Sequence, residues 1–357
     1  MSHVMIIAEA GVNHNGKLDL ALALIDAAVE AGADAVKFQT FKADALAQAI
    51  APKAAYQDRQ IGDQVSQHDM LKALELPQAW HFALQDHAAK RGIDFISTAF
   101  DFASLAFLET LNLPFYKVPS GELTNAPLLW QFARTGRPLV VSTGMATLAE
   151  VEQALAVITH ALGSLVEPTG MAQVWQAWGS PAARARLRGH VTLLHCTSQY
   201  PTPMAEVNLA AMATLTAAFG LPVGYSDHTQ GITVPIAAVA LGAKVVEKHL
   251  TTDRSLPGPD HAASLEPAEF AAMVAGIRDV SAALGSAIKA PQASEWDTRR
   301  AARQTLVAAR DIVAGGVLVR DDLTTARAGQ GRAAADLWDV VGRVALRDIA
   351  TGAGVDV

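Results

Sequence analysis

Short, almost entirely apolar runs alternate with amphipathic stretches along most of the chain. The apolar runs predict strands that are buried on both faces, at Met5–Glu9, Ala35–Gln39, Asp94–Ser97, Phe115–Val118, Leu139–Ser142, Val191–His195, Val223–Tyr225 and Lys244–Lys248. Helical spacing predicts helices between them, among others at Leu18–Ala31, Pro77–Lys90, Thr147–Leu162 and Pro267–Leu284. The pattern therefore predicts a series of strand–helix units.

Eight such units fit a (β/α)8 barrel, with an open doubly wound sheet as the alternative. Polar side chains follow nearly every predicted strand. A barrel gathers the carboxyl ends of all eight strands at one rim, whereas an open sheet gathers only those near its switch point. We therefore predict an α/β fold, a (β/α)8 TIM barrel with its chemistry at that rim.

Composition limits the class of protein. The 357 residues are 51% apolar and 18% charged, as in an ordinary globular protein. The single cysteine, Cys196, excludes an internal disulfide and favours a reducing compartment. The N-terminal residues lack the basic region of a signal peptide, and no apolar run reaches the roughly 20 residues of a membrane span. The net charge of −7 argues against nucleic acid or an anionic membrane as partner, so we expect a soluble cytoplasmic enzyme.

The composition shifts near residue 286. The polar stretch KAPQASEWDTRR, Lys289–Arg300, follows a few residues later. We expect a barrel domain at residues 1–286, a linker at 287–304 and a small β-rich domain at 305–357. A domain of this size is not robust alone, so we expect it to dock on the barrel or on a second subunit. The segment Leu165–Arg188 is expected to be an insertion whose tryptophans, Trp175 and Trp178, cover a surface seam.

Two histidines occupy similar settings at the ends of the seventh and eighth predicted strands. His228 ends the run SDH, and His249 ends the run EKH. Adjacent barrel strands would bring both imidazoles within reach of one divalent metal such as Mn, Fe, Co or Zn. Two unrelated histidines at loop starts remain the alternative.

Two lysines, Lys37 and Lys117, end apolar strands, where a buried charge needs a partner. Each either pairs with a neighbouring carboxylate or neutralises an anionic substrate. Hydroxyl side chains are expected at the same rim, from Thr98, Ser120, Ser142, Thr143 and Ser226. Lysines combined with hydroxyls are the donors that a phosphate group requires.

Carboxylates near the strand ends have two interpretations each. Glu122 could move protons, or simply favour a helix start. Glu9 could pair with a lysine or bind the hydroxyls of a polyol. Asp227 and Glu247 could orient the histidines or cap the following helices.

Three further residues follow strand ends. Asn13 and His14 form a turn after the first strand, and one of them can face the pocket. Cys196, in the sixth strand region, is expected to be buried rather than reactive.

Nine short motifs occur in the order IAEAGVNHNG, KFQTFKAD, FISTAFD, YKVPSGE, VVSTGMAT, LLHCTSQYPTP, GYSDHT, EKHLT and PGPDH. In this order they resemble the sialic acid synthase (N-acetylneuraminate synthase) family, including its N,N'-diacetyllegionaminate synthases. The tail from about Thr305 resembles that family's C-terminal SAF, or antifreeze-like, domain. The resemblance covers nearly the whole chain.

The resemblance implies a transferase that condenses phosphoenolpyruvate with an open-chain N-acetylated hexose. Carbon 3 of phosphoenolpyruvate attacks the aldehyde, water adds at carbon 2, and phosphate leaves with C–O cleavage to give a nine-carbon 2-keto acid. A divalent metal is implied, Mn²⁺ foremost, with Mg²⁺ or Co²⁺ as alternatives. A domain-swapped homodimer is implied as well.

The same resemblance assigns residue roles. The metal ligands would be His228 and His249. The carboxylate of phosphoenolpyruvate would contact Lys37 and Thr98, and its phosphate would contact Lys117, Ser120, Ser142 and Ser226. The sugar hydroxyls would contact Glu9, Gln39, Tyr200 and Asp260. Glu122 would manage the proton and water steps, with Glu9 and Lys117 as further catalytic residues, and Arg327 of the partner's SAF domain would recognise the N-acetyl group.

Two departures from the family pattern stand out. Ser198 occupies the place of an Asn that contacts phosphate in some members, so the contact would be shorter. The usual Arg-Pro-Gly-Asn-Gly motif reads RAGQG from Arg327, and the loop without Pro is expected to be less rigid.

The sugar itself stays open between N-acetylmannosamine, a 2,4-diacetamido-trideoxymannose and the altrose-configured precursor of pseudaminic acid. Residues 38–57, FQTFKADALAQAIAPKAAYQ, favour the first two. A metal-dependent hydrolase on the same barrel is a weaker alternative, because it would need His-x-His after strand one. An ice- or sugar-binding module is weaker still, because the tail carries many Arg and Asp.

Overall fold

The computed structural model describes residues 3–46 and 66–357. Most of the substrate-related stretch 38–57, from residue 47 onward, lies outside the described residues. The chain divides into two compact units, Met1–Gly285 and Ser286–Val357.

Eight parallel strands form the centre of the first unit. They are β1 (Met5–Gly11), β2 (Ala35–Thr40), β3 (Asp94–Ala99), β4 (Tyr116–Val118), β5 (Leu139–Ser142), β6 (Val191–Cys196), β7 (Val223–Asp227) and β8 (Val245–His249). Strand β1 pairs with both β2 and β8, so the first strand lies beside the last, as a barrel requires. Among the described residues a ladder is missing only between β3 and β4, which lie side by side. This confirms the barrel and excludes the open sheet.

Helices surround the barrel. Those of the first unit are α1 (Leu18–Glu30), α2 (Ala43–Leu46), α3 (Gln67–Leu74), α4 (Gln78–Arg91), α5 (Phe102–Glu109), α6 (Ala126–Arg134), α7 (Leu148–Ala161), α8 (Met171–Trp178), α9 (Pro181–Arg184), α10 (Ala211–Phe219), α11 (Thr233–Ala240) and α12 (Pro267–Ala283). Local sequence explains several ends: α4 stops at Gly92 in the left-handed conformation, and Thr147 with Glu150 forms a capping box for α7. None of the described helices is long and apolar enough to cross a membrane.

A compact apolar layer lies inside the barrel. It contains one residue from nearly every strand region: Ile7, Ala35, Ile96, Phe115, Val140, Leu194 and Val245. Two positions further along each strand stands a residue of the polar rim: Glu9, Lys37, Thr98, Lys117, Ser142, Cys196 and Glu247. Because side chains two apart in a strand share a face, the apolar layer is the floor on which the rim residues stand.

Residues 165–188, which we expect to be an insertion, contain α8 and α9, and α8 packs against α7. The Trp178 indole donates to Glu152 of α7 at 2.8 Å, and its ring faces the Arg184 guanidinium. Trp175 stays 40% exposed. Trp178 therefore covers part of the surface of α7, as expected, whereas Trp175 remains exposed.

The second unit has its own small core. Strands β9 (Thr305–Ala308) and β10 (Leu323–Ala326) pair antiparallel, and Leu306, Leu318 and Val355 are buried beside them. Two helices, α13 (Trp296–Ala302) and α14 (Leu337–Val340), belong to this unit. Helix α13 falls within the stretch expected to be a plain linker.

One buried histidine makes stability depend on pH. His81 is fully buried, its ring nitrogens contact Thr40 Oγ1 at 2.7 Å and the Pro77 carbonyl at 3.1 Å, and burial lowers its pKa to about 4. An unfolded histidine has a pKa near 6.5, so between these values the unfolded chain binds more protons and stability falls as the pH falls.

Between pH 7.5 and pH 4.5 the free energy of unfolding of the wild type falls, and we expect this fall to be smaller by up to about 3 kcal/mol in His81→Gln. Urea unfolding at pH 7.5 and at pH 4.5 measures it. His14, whose pKa burial also lowers to about 4, remains in the variant and keeps part of the slope. A variant whose loss between the two pH values equals that of the wild type would refute the assignment.

Candidate active site

A cavity of about 470 Å³ opens at the carboxyl ends of the barrel strands. It is lined by thirteen of the residues predicted from sequence: Glu9, Lys37, Gln39, Thr98, Lys117, Ser120, Glu122, Ser198, Tyr200, Ser226, His228, His249 and Asp260. They come from all parts of the barrel sequence, so the closed sheet is what brings them together.

Three residues predicted to contact the substrate or to stand at the rim do not line this cavity. The Thr143 hydroxyl donates to the Leu194 carbonyl at 2.9 Å. Ser142 is fully buried at the end of β5, and its hydroxyl has no hydrogen-bond partner. Arg327 is exposed in the second unit, directly after β10. The roles given to Ser142 and Arg327 remain predictions.

Four buried charged side chains form a cluster on the apolar floor. Lys37 Nζ lies 2.6 Å from Glu9 Oε2 and 3.7 Å from Glu247 Oε2, and Lys117 Nζ lies 3.0 Å from Glu247 Oε1. All four side chains are at most 7% exposed. Both lysines thus pair with carboxylates, and both line the cavity where an anion can approach them.

Burial and neighbouring charges separate the two carboxylates of this cluster. Burial raises the pKa of Glu9, and Lys37 only partly offsets it. Burial acts on Glu247 as well, but Lys117 and Lys37 outweigh it, so the pKa of Glu247 is lowered. Burial would lower the pKa of Lys37, yet Glu247 and Glu9 raise it. Of the two carboxylates, Glu9 is therefore the one that takes up a proton more readily.

Hydroxyl groups surround the lysines. Ser226 donates to Glu247 Oε1 at 2.9 Å, and Ser120 Oγ accepts from the Gly144 amide at 3.0 Å. The Thr98 hydroxyl is buried without a hydrogen-bond partner. A buried hydroxyl without a partner is costly, and here it faces the cavity, where a ligand oxygen can satisfy it.

The two histidines stand side by side at the rim, with ring centroids 5.4 Å apart. His228 Nδ1 lies 2.7 Å from the Thr197 carbonyl, which can only accept, so Nδ1 carries a proton, and in the neutral ring the lone pair is on Nε2. Burial would lower the pKa of His228, but Cys196 outweighs burial and raises it. His249 Nδ1 is buried without a hydrogen-bond partner, and burial holds the pKa of His249 well below its usual value.

Two adjacent imidazoles fit a divalent metal, which binds the neutral form of each ring in place of its proton. Among the described residues no group of three or more side chains is placed to hold a metal. Two imidazoles would fill only two coordination positions of a metal and would leave the others for other ligands.

The polar wall of the cavity lies next to these histidines. The Tyr200 ring stacks on His228 with centroids 4.0 Å apart, and Asp260 Oδ2 lies 3.7 Å from His249 Nδ1. Burial raises the pKa of Asp260 to about 7. Gln39 donates to Glu9 at 2.8 Å. These groups offer hydrogen bonds of both senses to a polyol.

Glu122 lies at the cavity edge and is half-buried. Asn125 donates to Glu122 Oε2 at 2.7 Å and fixes one carboxylate oxygen. The carboxylate lies in a short helical turn, Ser120–Glu122, that precedes α6. It thus combines both sequence interpretations, a place at a helix start and access to the cavity.

Several residues were interpreted differently from their observed place. Asp227 contacts Lys248 and Thr229 rather than either histidine. Asn13 donates to the Leu250 carbonyl and to Ser264, and His14 Nδ1 accepts from the Gly16 amide, so both hold the first loop instead of lining the cavity.

Two contributors were missed by sequence reasoning. Glu247 links both lysines, although the only signal in the sequence was a carboxylate two residues before His249. Cys196 lines the cavity, and its Sγ lies 3.8 Å from His228 Nδ1. Burial disfavours ionisation of this thiol, but His228 outweighs burial and lowers the pKa of Cys196.

Comparison with known proteins agrees with this geometry. The NeuB family model matches residues 24–289, and the SAF domain model matches residues 303–356. The chain belongs to the NeuB family and carries a C-terminal SAF domain.

Relatives and solved structures extend the match over nearly the full chain. The chain is 45% identical to the N,N'-diacetyllegionaminic acid synthase of Legionella pneumophila, over 97% of this chain and 92% of that protein. It is 43% identical to the Campylobacter jejuni protein of the same name, over 98% of this chain and 97% of that one. The N-acetylneuraminic acid synthetase structure from Leptospira borgpetersenii, in complex with citrate, superposes with a TM-score of 0.67 at 33% identity, covering 84% of this chain and 90% of that chain.

Removing one lysine tests whether the cluster binds anions. We expect Lys117→Met to weaken binding of inorganic phosphate about tenfold or more, because a charge-assisted hydrogen bond in a buried site is worth about 1.5–3 kcal/mol. Isothermal titration calorimetry measures the affinity. The matched control is Lys90→Met, which breaks an exposed pair with Asp86 and should bind phosphate as the wild type does. Equal affinity in both variants would contradict an anion site at Lys117.

Proposed function

We propose that this protein condenses phosphoenolpyruvate with an open-chain N-acetylated mannose-type sugar to give a nine-carbon 2-keto sugar acid and phosphate. The observation that carries the proposal is the cavity in which two lysines, several hydroxyls and two adjacent histidines meet above the barrel floor. Membership of the NeuB family supports it. In the reaction a C–C bond forms between carbon 3 of phosphoenolpyruvate and the aldehyde carbon. Water adds at carbon 2, and the C–O bond to phosphate breaks.

Phosphoenolpyruvate is held through its two charged ends. Lys37 and Thr98 bind the carboxylate, since the buried Thr98 hydroxyl has no protein partner. Lys117, Ser120, Ser226 and Ser142 bind the phosphate. Ser198, which also lines the cavity, adds a further contact to the phosphate. Glu9 and Glu247 already pair with these two lysines in the structure.

His228 and His249 would hold a divalent metal, which we propose to be Mn²⁺. When bound, the ion supplies a Lewis acid that polarises a carbonyl oxygen. The Thr197 carbonyl keeps His228 in the tautomer that a ligand needs. Tyr200, stacked on His228, restricts rotation of that ring.

The sugar is oriented by the remaining polar wall. Gln39, Tyr200 and Asp260 bind its hydroxyls, and Glu9 joins them or transfers a proton, as its raised pKa favours. Glu122, fixed through one oxygen by Asn125, positions the water that adds at carbon 2 and handles its proton.

The diacetamido sugar is the substrate that we favour. Two relatives at 43–45% identity over nearly the whole chain are both named N,N'-diacetyllegionaminic acid synthase. N-acetylmannosamine, the precursor of N-acetylneuraminate, is the second candidate. Pseudaminic acid formation has less support, and the hydrolase alternative has none beyond the barrel itself.

A domain-swapped homodimer completes the proposal, with the barrel at residues 1–286, the linker at 287–304 and the SAF domain at 305–357. The second unit exposes large apolar side chains, with Trp338 82% and Leu346 81% exposed. Val317 pairs with Val344 in the same unit, and both are also exposed. Such side chains support docking on another surface, and Arg327 would then reach the partner's cavity. We propose a cytoplasmic setting for this dimer.

A sugar panel tests the proposed activity. With phosphoenolpyruvate and Mn²⁺, we expect the 2,4-diacetamido-2,4,6-trideoxymannose to give a nine-carbon acid and equimolar phosphate, N-acetylmannosamine to react more slowly, and the altrose-configured sugar to give no product. Phosphate release and product mass are measured together, with His228→Ala as the inactive control. Absence of phosphate release with all three sugars would refute the proposed function.

Mixing two inactive variants tests the composite site. Arg327→Ala and Lys117→Met should each be nearly inactive, because one lacks the sugar contact and the other the phosphate contact. After subunit exchange, mixed dimers should each hold one complete site, which gives about a quarter of the wild-type activity. A mixture that stays as inactive as its components would show that Arg327 does not act in the partner's cavity.

A further inference from the structure

A fully buried ion pair lies directly behind the two histidines. Lys248 Nζ is 2.6 Å from Asp227 Oδ2, and both side chains are 0% exposed. The two residues face each other in register across the β7–β8 ladder. Neither of them lines the cavity, so neither has a role in the proposed contacts with substrate.

The chain places this pair one residue before each histidine. Strand side chains alternate between faces, so His228 and His249 turn into the cavity while Asp227 and Lys248 turn away from it. The ion pair therefore joins the same two strand ends that carry the imidazoles.

The pair also closes the backbone around His228. Asp227 accepts from the Thr229 amide at 3.0 Å and from the Thr229 hydroxyl at 3.1 Å, and Lys248 donates to the Thr229 carbonyl. Asp227 and Thr229, which flank His228, are thus both hydrogen-bonded to Lys248, the residue that precedes His249.

Net stability gives little reason for such a pair. Desolvation of two buried ions costs about as much as their attraction returns, and a well-packed neutral pair is often equally stable. What the neutral pair would lack is a directional bond that sets the separation and orientation of the two strand ends.

We propose that Asp227 and Lys248 are positioning residues that hold His228 and His249 at the separation needed to bind one divalent cation. The inference rests on the proposed metal role of the histidines. Two residues on the outer face of β7 and β8 thereby serve the site on the inner face, where the histidines lie.

The test is Mn²⁺ affinity, measured by electron paramagnetic resonance on the full chain without substrates. In the double variant Asp227→Asn/Lys248→Met no buried charge is left unpaired, so the barrel should fold. We expect Mn²⁺ to bind about tenfold to a hundredfold more weakly, the range typical of lost partners behind metal ligands. Near-UV circular dichroism and thermal unfolding verify the fold of each variant.

A second ion pair provides the matched control. Arg278 Nη2 lies 2.8 Å from Asp34 Oδ2 at the opposite, amino-terminal end of the barrel, where Asp34 also accepts from the Ile6 amide. Arg278→Met should lower thermal stability and leave Mn²⁺ affinity unchanged. Equal loss of affinity in this control would show a general effect of barrel stability and overturn the positioning role.

Two outcomes separate the positioning role from the metal site itself. Wild-type affinity in a folded double variant overturns the positioning role. If the double variant does not fold, Asp227→Asn alone, which keeps an acceptor for Thr229, is measured by the same criterion. If His228→Ala and His249→Ala bind Mn²⁺ as the wild type does, the metal assignment fails, and the positioning role fails with it for that separate reason.

Discussion

The central constraint on this barrel is the burial of four charged side chains in one small volume. Lys37, Lys117, Glu9 and Glu247 stand on an apolar floor, where each would be prohibitively costly alone. Their mutual pairing makes the cluster tolerable and also fixes the lysine ammonium groups at one end of the barrel. The two lysines lower the pKa of Glu247, whereas burial raises the pKa of Glu9, so Glu9 is the carboxylate that gives up its charge more readily.

The closed sheet makes this cluster possible. Strand β1 contacts both β2 and β8, so Glu9 reaches Lys37 on one side while Glu247 stands on the other. The period-two alternation of each strand places an apolar residue on the floor and a functional one at the rim. The same alternation sends Asp227 and Lys248 outward, so that a structural ion pair and the two cavity-facing histidines share the same strand ends.

Sequence reasoning predicted the parts of the site that depend on residue type and strand position. Lys37, Lys117, His228 and His249 were found because a polar residue at the end of an apolar strand is conspicuous. The pairing of Glu247 with Lys37 of β2 and Lys117 of β4 was not predicted, because it depends on which strands meet across the barrel. The outward direction of Asp227 and the position of Ser142 beneath the cavity surface likewise depend on local geometry.

Helix α13 was missed because its polar residues, with a proline before them, resemble a linker.

A crystal structure with phosphoenolpyruvate and Mn²⁺ bound tests the account most directly. It should show the phosphate within hydrogen-bonding distance of Lys117 Nζ, the carboxylate at Lys37, and Mn²⁺ on His228 and His249. Phosphoenolpyruvate bound away from both lysines, or Mn²⁺ bound away from both histidines, would contradict the account.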